Sequence, residues 1–93
     1  MSQDIKNIQI TVSGRVQGVG FRWSAVNKAE QLGVKGFVRN MYDGSVFIEA
    51  EADEISLDHF VIWCHKGPSF SRVEKVDITP GTVKNYTSFS VRR

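Results

Sequence analysis

One stretch, Gly14-Arg15-Val16-Gln17-Gly18-Val19-Gly20-Phe21-Arg22, contains the residues best suited to chemistry, with three glycines ahead of a helix-like pattern. A glycine-rich loop can turn successive backbone N–H groups toward one point. The N-terminus of the following helix adds unpaired N–H groups and the positive end of the helix dipole. Arg22 adds a planar, permanently charged fork that suits phosphate. The stretch therefore predicts a site for an anion.

The alternative interpretation is an ordinary glycine-rich turn with an arginine on the surface, which the spacing alone leaves open. Two familiar nucleotide-binding patterns are excluded. Counted from Gly18, the dinucleotide fingerprint requires a third glycine where the chain has Trp23. Counted from Gly14, the P-loop requires a glycine followed by lysine where the chain has Val19-Gly20. An anion at this loop is therefore not expected to be a nucleotide bound in either of these ways.

The elements around the loop follow from the spacing of apolar residues. Apolar runs predict strands over Lys6–Ser13, Val34–Arg39, Ser45–Ala52 and Phe70–Ile78, with period-two alternation in the first and third, and a short fifth strand around Phe89 and Val91. Apolar residues three and four apart predict helices over Phe21–Leu32 and from an N-cap at Asp53 to about His65. Breaks are predicted at Gly33, Gly67-Pro68 and Pro80-Gly81, and a turn at 40–44. The order βαββαβ predicts an α+β, ferredoxin-like sandwich with two helices on one face of an antiparallel sheet.

Composition limits the class of protein. The 93 residues predict one domain, 1–93, and a net charge of +2 argues against a polybasic nucleic-acid binder. A single cysteine, Cys64, allows no intrachain disulfide, which is typical of a reducing compartment. The N-terminal residues Met1 to Asp4 are polar and lack the apolar core of a signal peptide, and no apolar run reaches membrane-spanning length. We therefore expect a cytoplasmic protein with no membrane partner.

Two motifs resemble those of a known family. The residues from Val12 to Arg22 look like the first signature of the acylphosphatases, and those from Gly36 to Val46 look like the second. One predicted helix separates the two motifs, as in the family. Gly67-Pro68 with Val73-Glu74, and the ending from Phe89 to Arg93, are similar to the rest of the pattern. The departures are Phe37, where the family often has Trp, and Arg93, where it often has Tyr.

The resemblance implies an enzyme that hydrolyses the carboxyl–phosphate bond of acyl phosphates, without metal, cofactor or covalent intermediate. Arg22 and Asn40 match the family's catalytic pair, with Asn40 holding the attacking water. The loop that would bind the substrate phosphate comprises Arg15, Val16, Gln17, Gly18, Val19, Gly20, Phe21 and Arg22. The expected partners are a small acyl phosphate, with inorganic phosphate or sulfate as a competitor, and no nucleic acid. A monomer is the simplest expectation.

Several residues have simpler interpretations. Without the resemblance, Asn40 is a turn residue ahead of the Asp43-Gly44 hairpin signal. His59 and His65 lack a third ligand at metal-binding spacing, and Cys64 falls on the apolar face of the second helix. Trp23 and Trp63 are expected to pack rather than to stack on ligands, and Arg92-Arg93 to form a solvated tail.

Two other functions compete. Ferredoxin-like sheets also bind RNA through exposed aromatic residues, but the first strand presents no aromatic pair. Similar domains also begin the large carbamoyltransferases of hydrogenase maturation, whose chains continue into Cys-x-x-Cys segments. This chain has a single cysteine, so a free-standing hydrolase is preferred.

Overall fold

The computed structural model describes residues 4–93. The prediction that no signal peptide is present was based on Met1 to Asp4, and most of these residues lie outside the described range. The elements in chain order are β1 (Lys6–Arg15), α1 (Phe21–Leu32), β2 (Lys35–Asn40), β3 (Val46–Ala52), α2 (Glu54–Lys66), β4 (Arg72–Gly81) and β5 (Phe89–Arg92).

The five strands form one sheet in the order β4-β1-β3-β2-β5. The first four strands pair antiparallel, which confirms the predicted ferredoxin-like α+β fold. The short extra C-terminal strand, for which no pairing direction was predicted, is β5; it pairs parallel with β2, so the five-stranded sheet is mixed. The cause is the connection after β4. It runs from one edge of the sheet to the opposite edge, so the chain enters β5 in the direction of β2.

Both helices have the predicted boundaries to within one residue. Gly33, with φ of 73°, ends α1 in the left-handed conformation that lets its N–H reach carbonyls of the last turn. Asp53 caps α2, and its carboxylate accepts hydrogen bonds from the Ser56 N–H at 3.1 Å and the Ser56 hydroxyl at 2.7 Å. Of these two described helices, neither has the length and apolarity that a membrane span requires.

The core lies between the helices and one face of the sheet. Cross-strand neighbours such as Ile10 and Ile48 are fully buried against Phe21 of α1 and Phe60 of α2. Cys64 also lies in this core, as predicted, and its burial raises the pKa of the thiol to about 12. The first turn of α1 is thus fixed by packing of Phe21, and the position of the glycine loop depends on that packing.

β4 departs from its predicted limits. It continues through Pro80 to Gly81, although a break was predicted there. β4 is an edge strand, so a proline can turn the position that lacks an N–H toward solvent, and the sheet loses no hydrogen bond there. A β-bulge opposite Ser13 and Gly14 shifts the pairing of β1 with β4. Because of this bulge, Val73 and Val76, three residues apart, both pack against the core.

The face of the sheet without helices carries a buried acidic pair. Glu49 and Glu51 are 5% and 2% exposed, and the Asn7 side-chain amide donates to both carboxylates, at 2.9 and 2.8 Å. The connection before β5 covers them: the Lys84 ammonium pairs with Glu49, and the Tyr86 N–H donates to Glu51 at 3.0 Å. Burial alone raises the pKa of each glutamate, but the hydrogen bonds from Lys84 and Asn7 outweigh it and leave both pKa values below the ordinary 4.5.

This arrangement predicts a loss of stability in acid. A carboxyl whose pKa is lower in the folded state stabilises the fold at pH above its unfolded pKa. We therefore expect the free energy of unfolding, measured with urea, to fall as pH drops below 4.5 and Glu49 and Glu51 become protonated. In a Glu49→Gln, Glu51→Gln variant the slope of stability against pH should be shallower, with Asp43 and Asp53 still contributing. An equal slope in variant and parent would contradict the assignment.

Candidate active site

Two glycines set the backbone of the loop between β1 and α1. Gly18 and Gly20 have φ angles of 74° and 79°, in the left-handed region that side chains rarely adopt. A Cβ added at either position would meet no atom within 4 Å. The requirement for glycine is therefore the backbone conformation, and crowding by the rest of the protein plays no part. Gly20 is also the N-cap of α1, so this conformation aims the start of the helix.

A cavity of about 370 Å³ lies at this end of α1. It brings together Arg22, from the first turn of α1, and Asn40, the last residue of β2. Its lining residues are Val16, Gly18, Gly20, Phe21, Arg22, Trp23, Asn40, Val91 and Arg93. Arg22 and Asn40, which the family resemblance paired, thus share one cavity. Their proximity follows from the β2–α1 packing and could not be read from residue spacing.

Three residues of the predicted phosphate loop do not line this cavity. Arg15 is the exposed last residue of β1 and is paired with Arg72 of β4. Val19 is half-buried and packs against the core. The Gln17 side chain points to the β2–β3 turn, where its amide donates to the Met41 and Ser45 carbonyls.

Three cavity residues were not among the predicted site residues. Trp23, which was expected to pack rather than to stack on a ligand, is 69% exposed at the edge of the cavity. Val91 and Arg93 reach the site because β5 runs parallel to β2, which brings the end of β5 beside Asn40. No local signal identifies Val91 or Arg93, since their place depends on the pairing of two distant strands.

The last two arginines also do more than form a solvated tail. The Arg92 guanidinium lies over the Phe37 ring, 4.0 Å from its centroid. Tyr86 packs against the edge of the same ring, at a centroid distance of 6.1 Å. Phe37 is only 6% exposed as a result, so it is not available to stack on a nucleic-acid base. Arg93 lines the cavity itself.

Asn40 presents an unpaired acceptor. Its side-chain Oδ1 is buried and has no hydrogen-bond partner among residues 4–93. Within the turn that follows, the Asp43 carboxylate accepts from the Ser45 N–H at 2.9 Å and from the Ser45 hydroxyl at 2.6 Å. These two hydrogen bonds lower the pKa of Asp43. A buried oxygen without a partner on an ordered turn is suited to bind a small polar group.

The charge around the cavity is positive. Arg22 and Arg93 line it, and α1 has no acidic residue in its first turn to offset the helix dipole. In the part of the chain that the structure describes, the ion pairs are Lys75 with Asp77 and Lys84 with Glu49, so neither cavity arginine is paired with a side-chain carboxylate. This combination favours an anionic ligand.

In the described part of the chain, the residues that line this cavity include no His, Cys, Asp or Glu. His59 and His65 are exposed on α2, whereas the cavity residues come from the loop, α1, β2 and the end of the chain. Within residues 4–93 no three His, Cys, Asp or Glu side chains are placed to hold a metal ion.

The comparisons with known proteins agree on one family. The acylphosphatase family model matches residues 8–91. An acylphosphatase of Nocardioides sp. is 48% identical over 85 residues, which cover 91% of this chain and 86% of that protein. An acylphosphatase structure from Coxiella burnetii has a TM-score of 0.92 at 37% identity, covering 96% of this chain and 94% of the other. Full-length HypF, in its phosphate- and nucleotide-bound form, has a TM-score of 0.90 at 29% identity, and the match covers 12% of that longer chain. With a family model that spans the chain and relatives that share nearly half of its residues, this chain belongs to the acylphosphatase family of enzymes.

Proposed function

We propose that this chain hydrolyses acyl phosphates to a carboxylate and inorganic phosphate, with Arg22 and the glycine loop holding the phosphate and Asn40 positioning the water. The observation that carries the proposal is the shared cavity. It combines an unpaired arginine, the N-terminus of α1 and a buried acceptor, Asn40 Oδ1, at one place.

The phosphate would bind at the positive end of the cavity. Loop N–H groups between Val16 and Phe21 and the first turn of α1 are the backbone donors, and Arg22 supplies two parallel donors from its guanidinium. Phosphoryl transfer needs little covalent help from the enzyme, because positioning and electrostatic stabilisation supply most of the rate enhancement. A cluster of donors with no carboxylate side chain among the described lining residues meets that need.

Water would act directly on phosphorus. Among residues 4–93, none of the side chains that line the cavity carries a hydroxyl, thiol, imidazole or carboxylate group, so these residues offer no side-chain nucleophile and no general base. Asn40 Oδ1 would accept one hydrogen of the water and orient its oxygen. As the new P–O bond forms and the bond from phosphorus to the acyl oxygen breaks, the carboxylate leaves with the bonding pair. The water's proton passes to a phosphate oxygen.

The test is hydrolysis of benzoyl phosphate by the whole chain, with and without a metal chelator. We expect turnover that survives the chelator and competitive inhibition by inorganic phosphate or sulfate at tens of millimolar, about the weakest affinity that defines a site. A parent protein that does not hydrolyse benzoyl phosphate would refute the proposed reaction. Turnover that disappears with chelator and returns with added zinc or magnesium would refute the metal-free mechanism.

Replacement of Gly20 with alanine tests the loop geometry. The added Cβ meets no atom, so the expected cost is the left-handed backbone conformation, about 1–2 kcal/mol of stability. We expect the loop to relax, its N–H groups to turn away from the cavity, and kcat/KM to fall at least about tenfold, which corresponds to one neutral hydrogen bond. Gly33→Ala is the matched control: its φ of 73° and open surroundings match those of Gly20, but it lies at the far end of α1. Equal activities of the two variants would show that Gly20 has no part in the site.

A further inference from the structure

We propose that Gln17 is a positioning residue, whose side-chain amide holds the β2–β3 turn, and with it Asn40, in place against the glycine loop. The inference rests on the proposed function, since it explains how the water-positioning residue is fixed relative to the phosphate site. It gives Gln17 a role different from the backbone contribution expected of the other loop residues.

The geometry is a bridge between two segments far apart in sequence. Gln17 Nε2 donates to the Met41 carbonyl at 2.8 Å and to the Ser45 carbonyl at 2.9 Å. The Met41 N–H also donates to the Ser45 carbonyl at 2.9 Å, which closes the turn. The side-chain NH2 group of Gln17 therefore donates one hydrogen to each of the two carbonyls at the ends of the turn. Met41 follows Asn40 directly, so the bridge acts one peptide away from the proposed catalytic amide.

These two bonds are the polar connection between the loop and the turn. Among residues 4–93 no other hydrogen bond joins 15–20 to 41–45, and the ladder between β1 and β3 ends at Val12 and Val46. A displacement of about 1 Å of a group that positions a reactant can reduce the rate about a hundredfold. Without the bridge, Asn40 would keep its place in β2, but the distance of its Oδ1 from the phosphate would no longer be fixed.

Gln17→Met removes the two donors and keeps the length of the side chain and every backbone N–H of the loop. We expect kcat for benzoyl phosphate to fall roughly ten- to a hundredfold, and the inhibition constant of inorganic phosphate to change less than about threefold. Circular dichroism and urea unfolding check that the variant folds. Parent-like kcat would overturn the proposal. An equal loss of kcat/KM and of phosphate binding would also overturn it and place Gln17 among the phosphate ligands.

A double-variant cycle tests whether Gln17 acts through Asn40. If it does, Gln17→Met should reduce kcat in the parent but cause little further loss in an Asn40→Ala background. Independent, additive losses would overturn the positioning role.

Gln17→Glu adds a readout that a purely structural role would not change. An ionised carboxylate would face the Met41 and Ser45 carbonyls and repel them, whereas a protonated carboxyl could donate to one. Both effects favour the protonated form and raise the pKa of the introduced glutamate. We therefore expect the ratio of the variant's kcat to the parent's to rise as pH is lowered. Gln31→Glu, at an exposed position of α1, is the control and should give a flat ratio.

The failure of this inference is distinguishable from failure of the proposed function. A parent that does not hydrolyse benzoyl phosphate refutes the function before any variant is made. A parent that hydrolyses it, with a flat pH ratio for Gln17→Glu and parent-like kcat for Gln17→Met, refutes only the role of Gln17.

Discussion

Replacing Arg22 with alanine is expected to remove both phosphate binding and turnover. The guanidinium lines the cavity and has no side-chain carboxylate partner within residues 4–93, so its donors are free for a ligand. A hydrogen bond to a charged group contributes about 1.5–3 kcal/mol, and a bidentate contact involves two of them. We expect kcat/KM for benzoyl phosphate to fall by at least about a thousandfold. The inhibition constant of phosphate should rise in parallel, because the proposed contact would also be made in the ground state.

Arg22→Lys separates charge from geometry. Lysine keeps the positive charge but is a point donor that cannot form two parallel bonds to one phosphate. We expect this variant to keep part of the phosphate affinity and to lose most of kcat. Arg72→Ala, which removes an exposed arginine of β4 outside the cavity, is the control for net charge. Full activity of Arg22→Lys would show that charge alone is required, and full activity of Arg22→Ala would exclude Arg22 from the site.

Much of the fold could be predicted because local physics determines it. The limits of α1 follow from the apolar spacing of its buried residues and from Gly33, and those of α2 from Asp53 and Gly67. The alternation in β1 and β3 is visible because one face of each strand packs against helices. Five of the consecutive loop residues singled out from the sequence line the cavity, Val16, Gly18, Gly20, Phe21 and Arg22, and their role as an anion site remains a prediction.

The features that the sequence did not predict depend on contacts between distant segments of the chain. The direction of β5 is set by a connection that crosses the sheet, and the residues around Phe89 contain no pattern that predicts this direction. Arg93 enters the cavity as a consequence of that pairing. The extension of β4 through Pro80 depends on the strand lying at an edge. Gln17 was assigned with its loop neighbours, whereas its side chain donates to a turn that residue spacing does not place beside it.

Replacing Asn40 with alanine should separate binding from catalysis. Asn40 is neutral, so it should add little to the binding of a phosphate that, as proposed, the loop and Arg22 hold. Its buried, unpaired Oδ1 is proposed to orient water, a contribution that counts fully only as the transition state forms. We expect Asn40→Ala to bind phosphate about as well as the parent and to lose at least about a hundredfold in kcat, the scale of one well-placed catalytic hydrogen bond.

Asn40→Asp tests the same assignment through charge. A carboxylate at the end of β2 would repel the bound phosphate, so this variant should lose kcat and also bind phosphate more weakly than Asn40→Ala. The measurements are kcat and the inhibition constant of phosphate for both variants, with circular dichroism to confirm folding. Asn27→Ala, at an exposed position of α1, is the control. Weak phosphate binding with unchanged kcat in Asn40→Ala would make Asn40 a binding residue. Unchanged values in both variants would leave it a turn residue before Asp43-Gly44, because a group that positions the attacking water cannot be removed without slowing the reaction.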